Sequence, residues 1–235
     1  MPTHGPSAWE NSPAESMERK LKITEDGSHT LYVPELDEAY HSIHGAIRES
    51  MHVFIKHGLR TTTTADLRIL EIGFGTGLNA ILTLSEASQS GQRIYYHAVE
   101  KYPLSKSEYQ KINFSEVRSD LPQDLFLAMH LAPWGKTAEI GPGFDLYKES
   151  TDFRSMEATG PFDLVYFDAF DPQKQPYLWT EEVFSSIAQS VRQGAVLVTY
   201  SAKGSVRRAL ISSGFEVQKV SGPPGKREMV RAIKR

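Results

Sequence analysis

Two periodicities alternate along this chain, and segments rich in Gly, Pro, Asn and Asp separate them. Residues 20–24 alternate polar and apolar, Glu25-Asp26-Gly27-Ser28 carries turn chemistry, and residues 30–33 resume the alternation, which predicts a hairpin over 20–35. Between 39 and 56, Ile43, Ala46, Ile47, Met51, Phe54 and Ile55 recur near helical spacing, so an amphipathic helix is expected there. Leu67, Ile69, Leu70 and Ile72 suit a parallel strand covered on both faces. A helix over 78–87 follows, then a strand over 93–99, a weaker strand over 145–148 and a strong one over 162–167. Thr180 reads as the N-cap of a helix over 180–192, with Glu181 and Glu182 in its first turn, before a strand over 195–200. The remainder predicts a helix over 205–213 closed by Gly214, then strands over 215–220 and 228–233 joined across Gly222-Pro223-Pro224-Gly225.

Strand, helix and strand in repeated succession define an α/β fold of Rossmann-like type, mostly parallel, with an antiparallel C-terminal hairpin on the sheet edge. At 235 residues the chain suits a single domain, taken as 19–235. Residues 1–18, with Pro2, Pro6 and Pro13 among small polar residues, read as a disordered leader. Residues 103–143 fit no repeating unit and are expected to form a helical insertion over the site.

The absence of cysteine excludes disulfides and thiolate metal sites and fits a reducing compartment. No apolar run approaches the roughly 20 residues that span a bilayer, and the first twenty residues carry no signal-peptide core, so a cytoplasmic protein without a membrane partner is expected. The net charge of −3 hides an asymmetry: residues 203–235 carry +7 and the rest −10. That distribution suits a phosphate-contacting surface on an otherwise acidic protein, and equally an ordinary solvated terminal helix and hairpin.

Candidate chemistry concentrates in two segments. In Glu71-Ile-Gly73-Phe74-Gly75-Thr-Gly77-Leu-Asn79 a strand runs through an acid into three glycines spaced two apart, and a helix follows. A dinucleotide site would have G-x-G-x-x-G; this spacing fits S-adenosylmethionine (SAM). Glu100, at the end of the next strand, stands where doubly wound folds place an acid for ribose hydroxyls. Asp152 follows the third strand as an acceptor for an adenine amino group or as a loop cap. In the second segment, 167–179, a strand delivers Asp168 to the carboxyl edge, and Phe170, Tyr177 and Trp179 offer faces for a stacked base or for packing the loop. His41, His44, His52 and His57 invite a metal reading, but without Cys or H-E-x-x-H none is expected. No G-x-S-x-G elbow points to a hydrolase.

Taken with the Tyr40-His-Ser-x-His-Gly-x-x-x-Glu49 stretch, the Asp168-to-Trp179 run, Ser201-Ala-Lys-Gly-Ser-Val-Arg-Arg208 and Gly225-Lys-Arg-Glu-Met229, the glycine loop resembles the methyltransferase domain of the bifunctional MnmC-type enzymes that make 5-methylaminomethyl-2-thiouridine in tRNA. The similarity runs in order over most of 20–232. It implies a class I SAM-dependent methyltransferase in stand-alone form, without the flavin oxidase, that methylates the 5-aminomethyl group of a wobble uridine in the anticodon loop. SAM would be held by Glu71, Gly73, Phe74, Gly75, Gly77, Asn79, Glu100 and Asp152, with neither metal nor flavin. Asp168 would be the catalytic carboxylate; with an ordinary pKa near 4 it would orient the amine and leave the proton to water. Tyr40, Lys174 and Trp179, with the basic Lys203, Arg207, Arg208, Lys226 and Arg227, are the expected substrate contacts. The alternatives are an aminopropyltransferase, suggested by the D-x-x-D-P turn at 168–172, and a non-catalytic RNA-binding module on the same fold.

Overall fold

The Asp26-Gly27 turn joins β1 (Lys20–Ile23) to β2 (His29–Val33) as an antiparallel hairpin in the computed structural model, which describes residues 17–156 and 160–235. A strand not foreseen, β3 (Glu38–Ala39), then pairs with Tyr32 and Val33. The expected helix therefore starts late, as α1 (Ala46–Ser50), and widens into a π-helical turn over Met51–Lys56. Its start is fixed by Gly45, whose φ of 127° is a conformation that glycine alone adopts cheaply. Ile43, expected on the buried helical face, is 58% exposed.

The chain continues through β4 (Asp66–Ile72), α2 (Leu78–Ser90), β5 (Arg93–Val99), α3 (Lys106–Tyr109), α4 (Phe114–Val117), α5 (Gln123–Leu131), β6 (Thr137–Gly141) and β7 (Phe144–Glu149). It closes with β8 (Phe162–Phe167), α6 (Glu181–Ser190), β9 (Val191–Thr199), α7 (Gly204–Ser212), β10 (Phe215–Ser221) and β11 (Glu228–Lys234). These strands form one eight-stranded sheet in the order β10-β11-β9-β8-β4-β5-β7-β6. β7, β5, β4, β8 and β9 run parallel, while the β10–β11 pair at one edge and β6 at the other are antiparallel. The mostly parallel α/β sheet and its C-terminal edge hairpin are thus as the periodicity indicates.

The apolar run in β4 divides between two cores, as a central strand requires. Leu67 and Ile69 join Phe54, Ile81 and Phe126 on one face; Leu70 and Ile72 join Phe184, Ile187 and Leu210 on the other. α6 stops at Ser190, because Val191 already pairs with Phe162 as the first residue of β9. The 103–143 segment is not purely helical, since its last part is β6, whose backbone pairs with β7. Of the expected leader, residues 1–16 lie outside the described residues, and Met17 is buried with Val33, Leu36 and Tyr102. Among the described residues no helix is long and apolar enough to cross a membrane.

Candidate functional site

β4, β5, β8 and β9 all end at one edge of the sheet, where ligands of open α/β folds bind, and a cavity of about 410 Å³ opens there. Its floor is the glycine loop. Gly73 N–H donates to Val99 O at 2.9 Å, and Gly73 and Gly75 have φ of 91° and 51°. A Cβ on Gly73 would lie 2.6 Å from Asp168 O, and one on Gly75 would lie 3.0 Å from the Tyr40 ring, so both positions need glycine. Gly75 N–H donates to Glu100 Oε2 at 2.9 Å and Tyr102 N–H to Glu100 Oε1 at 2.8 Å, which locks the carboxylate at the end of β5 facing the cavity.

Ile72, Gly73, Phe74, Gly75, Leu78, Asn79, Val99, Glu100, Asp152 and Phe153 line the half of the cavity next to the loop. Two expected cofactor residues do not line it. Glu71 points back into the sheet with no exposed surface, held by Asn79, and burial raises its carboxyl well above the usual range. Gly77 caps α2 behind Phe74, beside His130. Asp152 reaches the cavity and is also a loop cap: it accepts from Arg154 N–H at 3.1 Å and pairs with Arg154 and Lys101, and its bonds to Arg154 hold it down to about 2.

The other half is acidic. Asp168 follows β8 and accepts from Asn79 Nδ2 at 2.8 Å, while β3 contributes Glu38 and α1 contributes Glu49. Burial in the cavity wall, reinforced by the Glu49 charge, pushes Asp168 up to about 7. This corrects the expectation of an ordinary carboxyl with a pKa near 4. Burial also raises Glu38 to about 7, against the pull of the Asp171 N–H that donates to its Oε1 at 2.8 Å. Lys226 answers part of this negative charge: its Nζ lies 2.8 Å from Glu49 Oε1 and 3.9 Å from the centre of the Tyr200 ring.

The remaining expected substrate residues separate. Tyr40 lines the cavity over Gly75, and its hydroxyl receives Arg19 Nε at 2.9 Å. Trp179 does not line the cavity: it is buried against Phe167, Phe184 and Tyr200, and its Nε1 donates to Phe170 O at 2.9 Å. Its role is to pack the 168–179 loop, whereas Phe170 and Tyr177 face the cavity. Lys174 does not line the cavity, though its charge lowers the Glu38 pKa, and Lys203 is ion-paired with Asp171. Arg207 and Arg208 lie in the first turns of α7, immediately after β9, and Arg227 follows Lys226 in the β10–β11 loop. Because β11 runs antiparallel to β9, that loop returns to the same sheet edge as the cavity. The 103–143 segment supplies no wall residue; the roof comes from residues 37–43, for which the sequence signal was the Tyr40-to-Glu49 stretch alone. Of the four histidines, His41 is bonded to Thr76, His44 to Glu25 and His52 to Ser221 O, and His57 packs against His52.

A Rossmann-like sheet with this glycine loop and an acid ending the next strand defines the class of SAM-dependent methyltransferases. A family model described as S-adenosyl-L-methionine-dependent methyltransferase matches residues 150–235. Within that class the chain is similar to part of the MnmC proteins. It is 32% identical over 216 residues to the tRNA 5-methylaminomethyl-2-thiouridine biosynthesis bifunctional protein MnmC of Aeromonas hydrophila, covering 83% of this chain and 32% of that protein. The Acidovorax sp. protein of the same name is 31% identical over 92% of this chain and 35% of its own length. The chain therefore spans about a third of the length of these curated relatives. The crystal structure of MNMC2 from Aquifex aeolicus superposes with a TM-score of 0.75 at 27% identity, over 93% of this chain and 70% of that one.

Proposed function

We propose that this chain methylates the exocyclic amino nitrogen of 5-aminomethyl-(2-thio)uridine at the wobble position of tRNA, with SAM as donor. The observation that carries the reading is the acidic half-cavity around Asp168, which abuts a glycine loop suited to the donor. The donor set fits SAM: Gly73 and Gly75 present backbone to the cavity, Glu100 offers carboxylate lone pairs to ribose hydroxyls, and Val99 and Phe153 offer apolar surface to an adenine. Bound SAM would supply a sulfonium methyl, an electrophile that requires a neutral amine as its partner.

An alkylammonium has a pKa near 10 and no free lone pair, so the protein must remove a proton and aim the nitrogen. A carboxylate enclosed among carboxylates attracts the ammonium form; once a proton has gone, Asp168 accepts a hydrogen bond from the amine and points its lone pair across the cavity. Asn79 fixes Asp168 from behind. Phe170 and Tyr177 offer faces for an extruded base, and Arg207, Arg208 and Arg227 flank the same edge for anticodon-loop phosphates. The reading needs neither metal nor flavin, and it suits a cytoplasmic enzyme. The relatives' printed names, which describe tRNA 5-methylaminomethyl-2-thiouridine biosynthesis, support the substrate.

The test is incubation with labelled SAM and bulk tRNA from cells lacking the activity, followed by nucleoside analysis. Label in 5-methylaminomethyl-(2-thio)uridine is the expected result, and label in another nucleoside or none would overturn the reading.

A further inference from the structure

Asp168 is not the only carboxylate placed to meet an incoming amine. Glu38 also lines the cavity, on the two-residue strand β3. Its Oε1 is used, accepting the Asp171 N–H at 2.8 Å. Its Oε2 is buried and has no hydrogen-bond partner among the described residues. A buried acceptor left without a partner costs about 1–3 kcal/mol, a cost removed when a donor arrives. The groups that face Glu38 are Asp168 and Asp171, Lys174 in the same loop, Lys226 on the β10–β11 loop and Tyr200 after β9. Lys226 is engaged by Glu49 and Tyr200, and Asp171 by Lys203. The two oxygens of Asp168 are not equally free, since Asn79 holds Oδ2.

We propose that Glu38 is a second catalytic carboxylate, which selects a cationic amine and takes the proton that the amine must lose, leaving Asp168 to orient the nitrogen. One N–H bond of the ammonium breaks, its electron pair stays on nitrogen as the attacking lone pair, and an O–H bond forms at Glu38 Oε2. Water takes this proton when the product leaves. The near-neutral titration of Glu38 suits an acceptor that must reset in each cycle. Its substrate class is a primary alkylammonium carried on a flat base, and an isosteric alcohol would be refused for want of charge.

This inference rests on the proposed methyl transfer, and two anticodon stem-loop RNAs separate the two claims, one with 5-aminomethyluridine at the wobble position and one with 5-hydroxymethyluridine. The full chain should bind the aminomethyl RNA about tenfold or more tightly than the hydroxymethyl RNA. Glu38→Gln, which keeps the acceptor for Asp171 N–H, should lose most of that preference with SAM affinity unchanged. It should also move the acidic limb of the single-turnover rate upward by about one pH unit or more, and Glu38→Asp should restore part of both effects. A Glu38→Gln protein with the wild-type preference and the wild-type limb would overturn the proposal. So would parallel loss of SAM affinity in both variants, which would make Glu38 a prop for the 168–179 loop. A wild type that binds the aminomethyl RNA preferentially but does not methylate it would overturn the wobble reading and leave Glu38 as the selector of charge.

Discussion

One amide group of Asn79 serves two acids: Nδ2 lies 2.9 Å from Glu71 Oε1 and 2.8 Å from Asp168 Oδ2. The first turn of α2 therefore ties the buried acid of β4 to the carboxylate at the end of β8, so the glycine-loop strand and Asp168 share one support.

Asn79→Ala should remove that support. It leaves two enclosed carboxyls without their donor, which should cost about 1–3 kcal/mol of stability and raise the Asp168 pKa further. Denaturant unfolding measures the first effect. The rate–pH profile should show the second as an acidic limb displaced upward, and an unchanged profile would mean that Asn79 does not set the charge of Asp168.

Asp168→Ala should nearly abolish methyl transfer while tRNA affinity stays within about twofold, because the carboxylate is assigned to the amine and not to phosphate. Single-turnover rates at saturating SAM and tRNA decide the point, and a variant that keeps most of the wild-type rate would remove Asp168 from the mechanism.

Burial of Asp168 also makes stability depend on pH with a defined sign. Its pKa of about 7 lies above the unfolded value of 3.8, so the folded state binds the extra proton, and this contribution is lost as pH rises from about 4 through 7. His41, held near 4 by burial, acts oppositely between about 4 and 6.5. The difference between variant and wild type isolates the carboxyl: Asp168→Asn should gain Tm relative to wild type between pH 5 and pH 8. A constant difference across that range would contradict the enclosed carboxyl.

Glu100→Ala should weaken SAM binding by about 1.5–3 kcal/mol, one to two decades, with the fold retained. Calorimetry that returned the wild-type affinity would exclude Glu100 from the ribose contact.

Reversing Arg207, Arg208 and Arg227 should weaken tRNA binding but not SAM binding, and should flatten the slope of log affinity against log salt by somewhat less than about one unit for each phosphate no longer neutralised. Lys226 is left out because Glu49 and Tyr200 engage it inside the cavity. Equal slopes for variant and wild type would mean that these arginines are only a solvated surface.

The parallel strands were legible because strands covered on both faces are mostly apolar, as Leu67, Ile69, Leu70 and Ile72 make β4 around Arg68 and Glu71. The floor of the site was legible for a related reason, since the glycine loop and Asp168 each follow directly from a strand end. The roof was not. Glu38 belongs to a strand of two residues, too short for any period, and Lys226 meets Glu49 across 177 residues of sequence. Trp179 marks the limit from the other side: the same indole could stack on a base or pack a loop, and only its neighbours Phe167, Phe184 and Tyr200 decide.

The position of β11 between β9 and β10 sets an order of assembly during synthesis. Every other strand of the sheet precedes β11 in the chain, and β10 cannot reach β9 except through it. A nascent chain thus holds β10 without a partner until β11 has been made, and the loop that brings Lys226 to Glu49 docks at the same moment. Glu49 lacks its partner Lys226 until that event, so under the proposed function a ribosome-bound chain still lacking β11 should be unable to bind the aminomethyl RNA.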